Sequence, residues 1–133
     1  MLADDALGSG REDASLPLDR RYVDAFEAMA ADSNQVLLVA MAGDAVVGCL
    51  QLTFVPGLSR LGMWRGQIES VRIAASQRGS GLGRRMIEHA IHLCRERHCG
   101  LVQLTSDKSR ADAIRFYEQL GFKASHEGLK LSL

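Results

Sequence analysis

Ile68-Glu69-Ser70-Val71-Arg72-Ile73, then Gln77-Arg78-Gly79-Ser80-Gly81-Leu82-Gly83, then a long amphipathic run decide how this chain is read. The first segment is a short, apolar-rich run that reads as a β-strand. The second sets three glycines at alternate positions. In the third, Leu82, Met86, Ala90 and Leu93 with Ile87, Ile91 and Cys94 recur at helical spacing, and Arg84, Arg85, Glu88, His92, Arg95 and Glu96 fill the opposite face. Gly100 is the expected stop. The unit is therefore strand, glycine turn, helix.

Such a turn has a specific chemical use. Alternating glycines let the backbone approach a ligand closely and aim several N–H groups at one point. The start of a helix adds positive potential there. Arg78, Arg84 and Arg85 supply full charges. The expectation is a cradle for a pyrophosphate. No Lys-Ser or Lys-Thr follows the glycines, so the P-loop pattern is absent; counting from Gly79 and Gly81, the third dinucleotide-binding glycine would fall at Arg84, so that pattern fails too.

Downstream, Leu101–Thr105 reads as a short strand. Ser109-x-x-Asp112 predicts a capping box for a helix through Leu120, with Ala113, Ile114, Phe116, Tyr117 and Leu120 inward. Phe122–Ser125 and Leu129–Leu133 read as final strands, the last alternating Leu129, Leu131 and Leu133 with Lys130 and Ser132. Upstream, Tyr22, Val23, Phe26, Met29 and Ala30 predict a helix capped by Asp19 and closed by Asp32-Ser33-Asn34. The run Val36–Ala40 predicts a strand covered on both faces. Gly43-Asp44 turns it into a second strand, Val46–Val55, making a hairpin. Residues 56–67 read as a loop carrying Arg60, Trp64 and Arg65, where a ligand's carboxylate or phosphate could bind as readily as the loop could be plain surface. Residues 1–18 form an acidic, irregular lead, in which Leu2–Leu7 makes a poor strand. Hairpin first and β-α-β later predict an α/β fold around a mixed central sheet flanked by helices, in one domain spanning 1–133.

Two motifs in order, Gln77-Arg78-Gly79-Ser80-Gly81-Leu82-Gly83 and Ala113-Ile114-Arg115-Phe116-Tyr117-Glu118-Gln119-Leu120-Gly121-Phe122, resemble the signatures of the GCN5-related N-acetyltransferase (GNAT) superfamily. The resemblance implies a GNAT-like sheet whose splayed strand pair holds acyl-CoA. It implies acetyl-CoA as co-substrate and a primary amine of a small molecule or peptide as acceptor. Arg78, Gly79, Ser80, Gly81, Leu82, Gly83 and Arg84 would then hold the CoA pyrophosphate. Val71, Arg72 and Ile73 would pair with pantetheine like an added strand, and a backbone N–H there would polarise the thioester carbonyl. Glu69 is the candidate base: in a regular strand it shares a face with Val71 and Ile73, and partial burial would raise its pKa. The alternative is an edge glutamate in water. Tyr117 is the candidate acid toward sulfur; the alternative is a core aromatic. The family often carries an Asn just before its second motif, where this chain reads Ser106-Asp107-Lys108-Ser109-Arg110. The family's first strand is expected to be lacking here, or to lie upstream of Met1.

Composition narrows the remaining classes. Sixteen Lys and Arg balance sixteen Asp and Glu, which speaks against nucleic-acid or anionic-membrane binding as the main task. No apolar run reaches the roughly 18 residues of a membrane span. The first Lys or Arg is Arg11, unlike a secretory signal. Three cysteines, Cys49, Cys94 and Cys99, fit no disulfide framework, and a reducing cytoplasm is the simplest compartment. Cys49 and Cys94 read as inert core thiols. The histidines near Cys94 lack a second ligand pair at zinc spacing, so no metal is expected. The competing function is a CoA-binding regulatory or interaction module without turnover. The last strand offers an edge for a homodimer.

Overall fold

A computed structural model describes residues 1–4 and 8–133. Asp5, Ala6 and Leu7, and with them half of the doubtful strand at 2–7, lie outside the described residues. Met1–Asp4 form a turn closed by an Asp4 N–H to Met1 carbonyl bond. The elements run α1 (Arg20–Ala31), β1 (Gln35–Ala42), β2 (Ala45–Val55), a single turn α2 (Ser59–Gly62), β3 (Arg65–Ile73), a 3-10 turn (Ala75–Gln77), α3 (Leu82–Glu96), β4 (Leu101–Leu104) and α4 (Ala111–Gln119). The four strands make one sheet in sequence order. β1–β2 and β2–β3 are antiparallel and β3–β4 is parallel, so the sheet is mixed, as expected.

The core lies between one sheet face and α3. Leu50, Leu52, Phe54 and Ile68 from the strands meet Met86, Ile87, Ala90 and Cys94 from the helix, and Phe116, Tyr117, Leu120 and Phe122 pack against this cluster. The α3 stripe read from sequence is thus the stripe that is buried. α1 begins as predicted, with the Asp19 carboxylate accepting the Arg21 N–H at 2.9 Å.

Four expectations need correction. β1 is only partly covered on its second face: α1 approaches it at Gln35 and Leu37, while Leu37, Val39 and Met41 remain exposed. A continuous apolar run cannot distinguish a doubly covered strand from a strand at a sheet edge. The Ser109 capping box does not form. Asp107 instead accepts from the Ser109 N–H and hydroxyl, α4 starts from Arg110 without a side-chain cap, and Asp112 pairs with Arg115. Residues 122–133 contain no strand: they make no ladder with β4, the last strand of the sheet, and alternation by itself does not supply a pairing partner. Finally, the 56–67 loop contains α2, left-handed at Arg60 and Leu61, and ends where β3 begins at Arg65. The Gly100 N–H bonds the Trp64 carbonyl just past the end of α3, one helix length (~22 Å) from the glycine turn. Trp64 and Arg65 therefore stand at the end of β3 remote from the glycine turn.

Candidate active site

The site grows from a difference between the two edges of β3. Along β2 it stays paired through Ile73. Along β4 it pairs only from Arg65 to Ile68. From Glu69 to Ile73 it makes no ladder with β4, so the two parallel strands part after Ile68. Close packing holds the joined half: a Cβ on Gly66 would stand 2.2 Å from the Cys94 sulfur, so only glycine lets β3 and α3 meet there.

At the parting point β3 carries a bulge. Ser70 has φ 53°, and the β2 register slips between Cys49 and Gln51. One extra residue reverses the alternation that follows it. Glu69 stands opposite Gln51, and Arg72 opposite Cys49, on the face away from α3. Val71 and Ile73 turn to the core. Glu69 therefore does not share a face with Val71 and Ile73, and it is exposed rather than partly buried. Periodicity assumes an unbroken strand, and nothing in Glu-Ser-Val marks a bulge. Cys49 is likewise on the outer face, not in the core, with its thiol 3.8 Å from the Ser70 carbonyl. Cys94 is the core thiol expected, and burial pushes it up to about 12.

Past Ile73 the 3-10 turn leads into the glycines. Gly79 and Gly81 adopt φ 77° and 81°, a left-handed backbone that glycine takes without penalty, and a Cβ on either would point into open space. α3 starts from Gly81 with no side-chain cap. Ser80 braces the turn, donating its hydroxyl to the Gln77 carbonyl at 2.7 Å and accepting weakly from the Leu82 N–H at 3.4 Å. The amides of Gly83 and Arg84, in the first turn of α3, find no acceptor among the described residues. Such amides at a helix N-terminus, with the positive end of its dipole, suit phosphate oxygens. Arg84 is half-exposed and leans toward Glu88 at 3.6 Å. The Arg78 guanidinium instead folds back, donating to the Ile73 carbonyl at 3.4 Å and the Asp4 carbonyl at 3.3 Å. Arg72 donates to the Val71 carbonyl at 2.9 Å.

Gly83 ties the turn to the second motif. A Cβ there would lie 3.6 Å from Ile73 and 3.7 Å from Phe116, so the start of α3, the end of β3 and α4 meet. Tyr117, next along α4, is half-buried with edge contacts to Phe116 and Phe122. Burial raises its pKa, partly opposed by the charges of Arg110 and Arg72, so it carries its proton at neutral pH. Among the described residues no group of His, Cys, Asp and Glu is arranged to hold a metal ion, and no helix is long and apolar enough to cross a membrane.

This arrangement has close counterparts. A crystal structure of a protein described as a transcriptional regulator from Bacillus halodurans C-125 is 53% identical and superposes with a TM-score of 0.97, covering 100% of this chain and 89% of that one. Glucosamine 6-phosphate N-acetyltransferase of Trypanosoma brucei brucei is 35% identical over 88 residues, 66% of this chain and 58% of that protein, so the chain spans little more than half of that relative. Aminoalkylphosphonate N-acetyltransferase of Salmonella typhimurium is 30% identical over 105 residues, 79% of this chain and 68% of that protein. The family model described as "Acetyltransferase (GNAT) family" matches residues 5–122, which takes in the parted strands, the glycine turn and the Tyr117 helix together. With the motifs, the mixed sheet and this match in agreement, the chain belongs to the GNAT acetyltransferase family.

Proposed function

We propose that the protein transfers the acetyl group of acetyl-CoA directly to a primary amine of a small molecule or peptide. One observation carries this reading: the stretch of β3 from Glu69 to Ile73, beyond its ladder with β4, leads into the amide-lined turn at Gly79–Gly83, with Tyr117 on the adjoining helix. In this reading, Arg78, Gly79, Ser80, Gly81, Leu82, Gly83 and Arg84 receive the CoA pyrophosphate through backbone N–H groups and the dipole of α3. Arg78 contributes by bracing the turn against the end of β3. Val71, Arg72 and Ile73 offer backbone groups to pantetheine, as an edge strand does to an added strand. A β3 amide beside the bulge polarises the thioester carbonyl. Glu69, exposed on the outer face, takes the proton of the attacking amine, directly or through water. The new C–N bond forms as the C–S bond breaks. Tyr117, kept protonated by burial, gives its proton to the departing sulfur, and CoA leaves as the free thiol.

The acceptor class draws on the relatives. Two of them bear names of enzymes acting on amines with a phosphate or phosphonate group, so glucosamine 6-phosphate and an aminoalkylphosphonate head the acceptor panel. The test follows CoA thiol release with acetyl-CoA and each amine. Turnover is expected with at least one amine, with kcat falling about 10²-fold in Glu69→Gln. A second reading is a CoA-binding module without turnover, favoured by the description of the 53% identical Bacillus halodurans structure as a regulator. CoA binding by calorimetry with no thiol release across the panel would select that reading.

A further inference from the structure

α3 ends in a turn that brings two cysteines together. His98 has a left-handed backbone, φ 54°, and donates its N–H to the Arg95 carbonyl at 3.0 Å, while the Cys99 N–H reaches the Cys94 carbonyl at 2.9 Å. These nested bonds are a Schellman close, a common way for a helix to satisfy its last carbonyls. The close also sets the side chains of its first and sixth residues against each other, usually as an apolar contact. Here both of those residues are cysteines. A carbonyl-to-amide bond keeps two Cα atoms on the order of 5–6 Å apart. A disulfide spans roughly 4.4–6.8 Å between Cα atoms.

The surroundings hold the pair in place. Cys94 is 1% exposed, with its sulfur lodged beside Gly66 of β3. Cys99 is half-buried and packs on the same core cluster, so a small reagent can reach it first. The two thiols act on each other: Cys99 adds to the raised pKa of Cys94, and Cys94 offsets part of the rise at Cys99. Burial is the main cause of both rises, because it disfavours a thiolate. A disulfide carries no charge, so the same burial does not oppose it. High thiol pKa values slow attack at neutral pH, and they also make these sulfurs poor leaving groups when the bond is reduced. Such a bond forms slowly and then persists.

We propose that Cys94 and Cys99 are a modification site, closed into a disulfide by exchange with a small-molecule disulfide such as oxidised glutathione. The Cys99 thiolate attacks one sulfur of that disulfide, its S–S bond breaks, and one glutathione leaves as a thiolate. Cys94, as its thiolate, then attacks the Cys99 sulfur. The Cys94–Cys99 bond forms as the bond to the second glutathione breaks. Both cysteines are oxidised, glutathione disulfide is reduced to two thiols, and the two cysteine protons end on those thiols. The inference is independent of acyl transfer, since the pair lies at the opposite end of α3 from the glycine turn.

The full chain is incubated with oxidised glutathione in mildly alkaline buffer, alkylated, and cut with trypsin without reduction. Mass spectrometry is expected to find Met86–Arg95 joined to His98–Lys108, and dithiothreitol to separate them. Cys49→Ser should keep this cross-link and Cys99→Ser should abolish it. Titration with reduced glutathione then tests whether the fold is responsible. The folded chain should stay oxidised at about tenfold more reduced glutathione than the same chain in urea. Three results overturn the proposal. One is a Cys99–glutathione adduct that persists with Cys94 alkylated. Another is a cross-link that runs through Cys49. The third is the same reduction midpoint for the folded and the urea-unfolded chain, which would mean that the helix end does not bring the sulfurs together.

Discussion

β3 is two strands in one. Its first half, Arg65–Ile68, is paired on both sides and pressed onto α3 so closely that Gly66 admits no side chain. Its second half, Glu69–Ile73, is paired with β2, bulged at Ser70, and lies beyond the ladder with β4. The first half spends its hydrogen bonds and its apolar surface on stability. The second keeps backbone groups available and turns Glu69 and Arg72 outward together. Fixing one end of a strand rigidly is what allows its other end to stay open without the sheet losing register.

The largest effect is expected at the open half. Tyr117→Phe should lower kcat by about 10²–10⁴-fold with little change in folding, because it removes the proton donor and leaves the ring. Its raised pKa adds a sign. The tyrosine stays protonated across neutral pH, so activity limited by it declines only on the alkaline side, above the ordinary tyrosine range. A pH–rate profile in which Tyr117→Phe keeps the parent's alkaline limb would sink that role.

Next comes the closed half. Gly66→Ala forces a methyl against the Cys94 sulfur and should cost about 1–3 kcal/mol in urea unfolding. Adding Cys94→Ala frees that space, and the double variant should recover part of the loss. Additive losses would mean that the contact does not control the packing.

The bulge separates the halves and gives a smaller effect. Ser70 has a left-handed backbone, which costs a side-chain-bearing residue about 1–2 kcal/mol. Ser70→Gly should therefore be neutral or mildly stabilising, whereas Ser70→Val should destabilise by a similar amount. If valine were tolerated at no cost in melting temperature, the bulge would not be fixed in solution.

The smallest effect lies outside β3 altogether. Asp19 caps α1, and its hydrogen bonds to the Arg21 side chain and backbone lower its pKa from 3.8 to about 2. Because the folded value is the lower one, its contribution is complete above about pH 4 and fades as pH falls toward 2. Acid titration of stability should show a slightly flatter slope in that window for Asp19→Asn. An unchanged slope would show that the cap is not populated.

Much of the first comparison could be read in advance. The α3 stripe of Met86, Ile87, Ala90 and Cys94 is buried as its spacing requires, because a helix has one period and a single core face. The glycine turn is also where the local pattern puts it, since Gly79 and Gly81 take left-handed backbone that their neighbours would resist. That Val71 and Ile73 turn away from Glu69's face was not legible: a bulge depends on how β2 and β3, distant in the chain, share hydrogen bonds. Nor was the exposed side of β1, because an apolar run does not say how many layers will cover it.

The amino-acid sequence by itself determined the strand–glycine turn–helix unit, the family motifs and the apolar stripe of α3. Each is a local pattern whose physics, backbone freedom and helical period, acts within a few residues. Tertiary structure alone decided where β3 parts from β4, that Val71 and Ile73 turn away from Glu69's face, and that Leu129, Leu131 and Leu133 stand exposed. Those outcomes depend on strand pairing and packing between segments far apart in the chain, and no local pattern contains them.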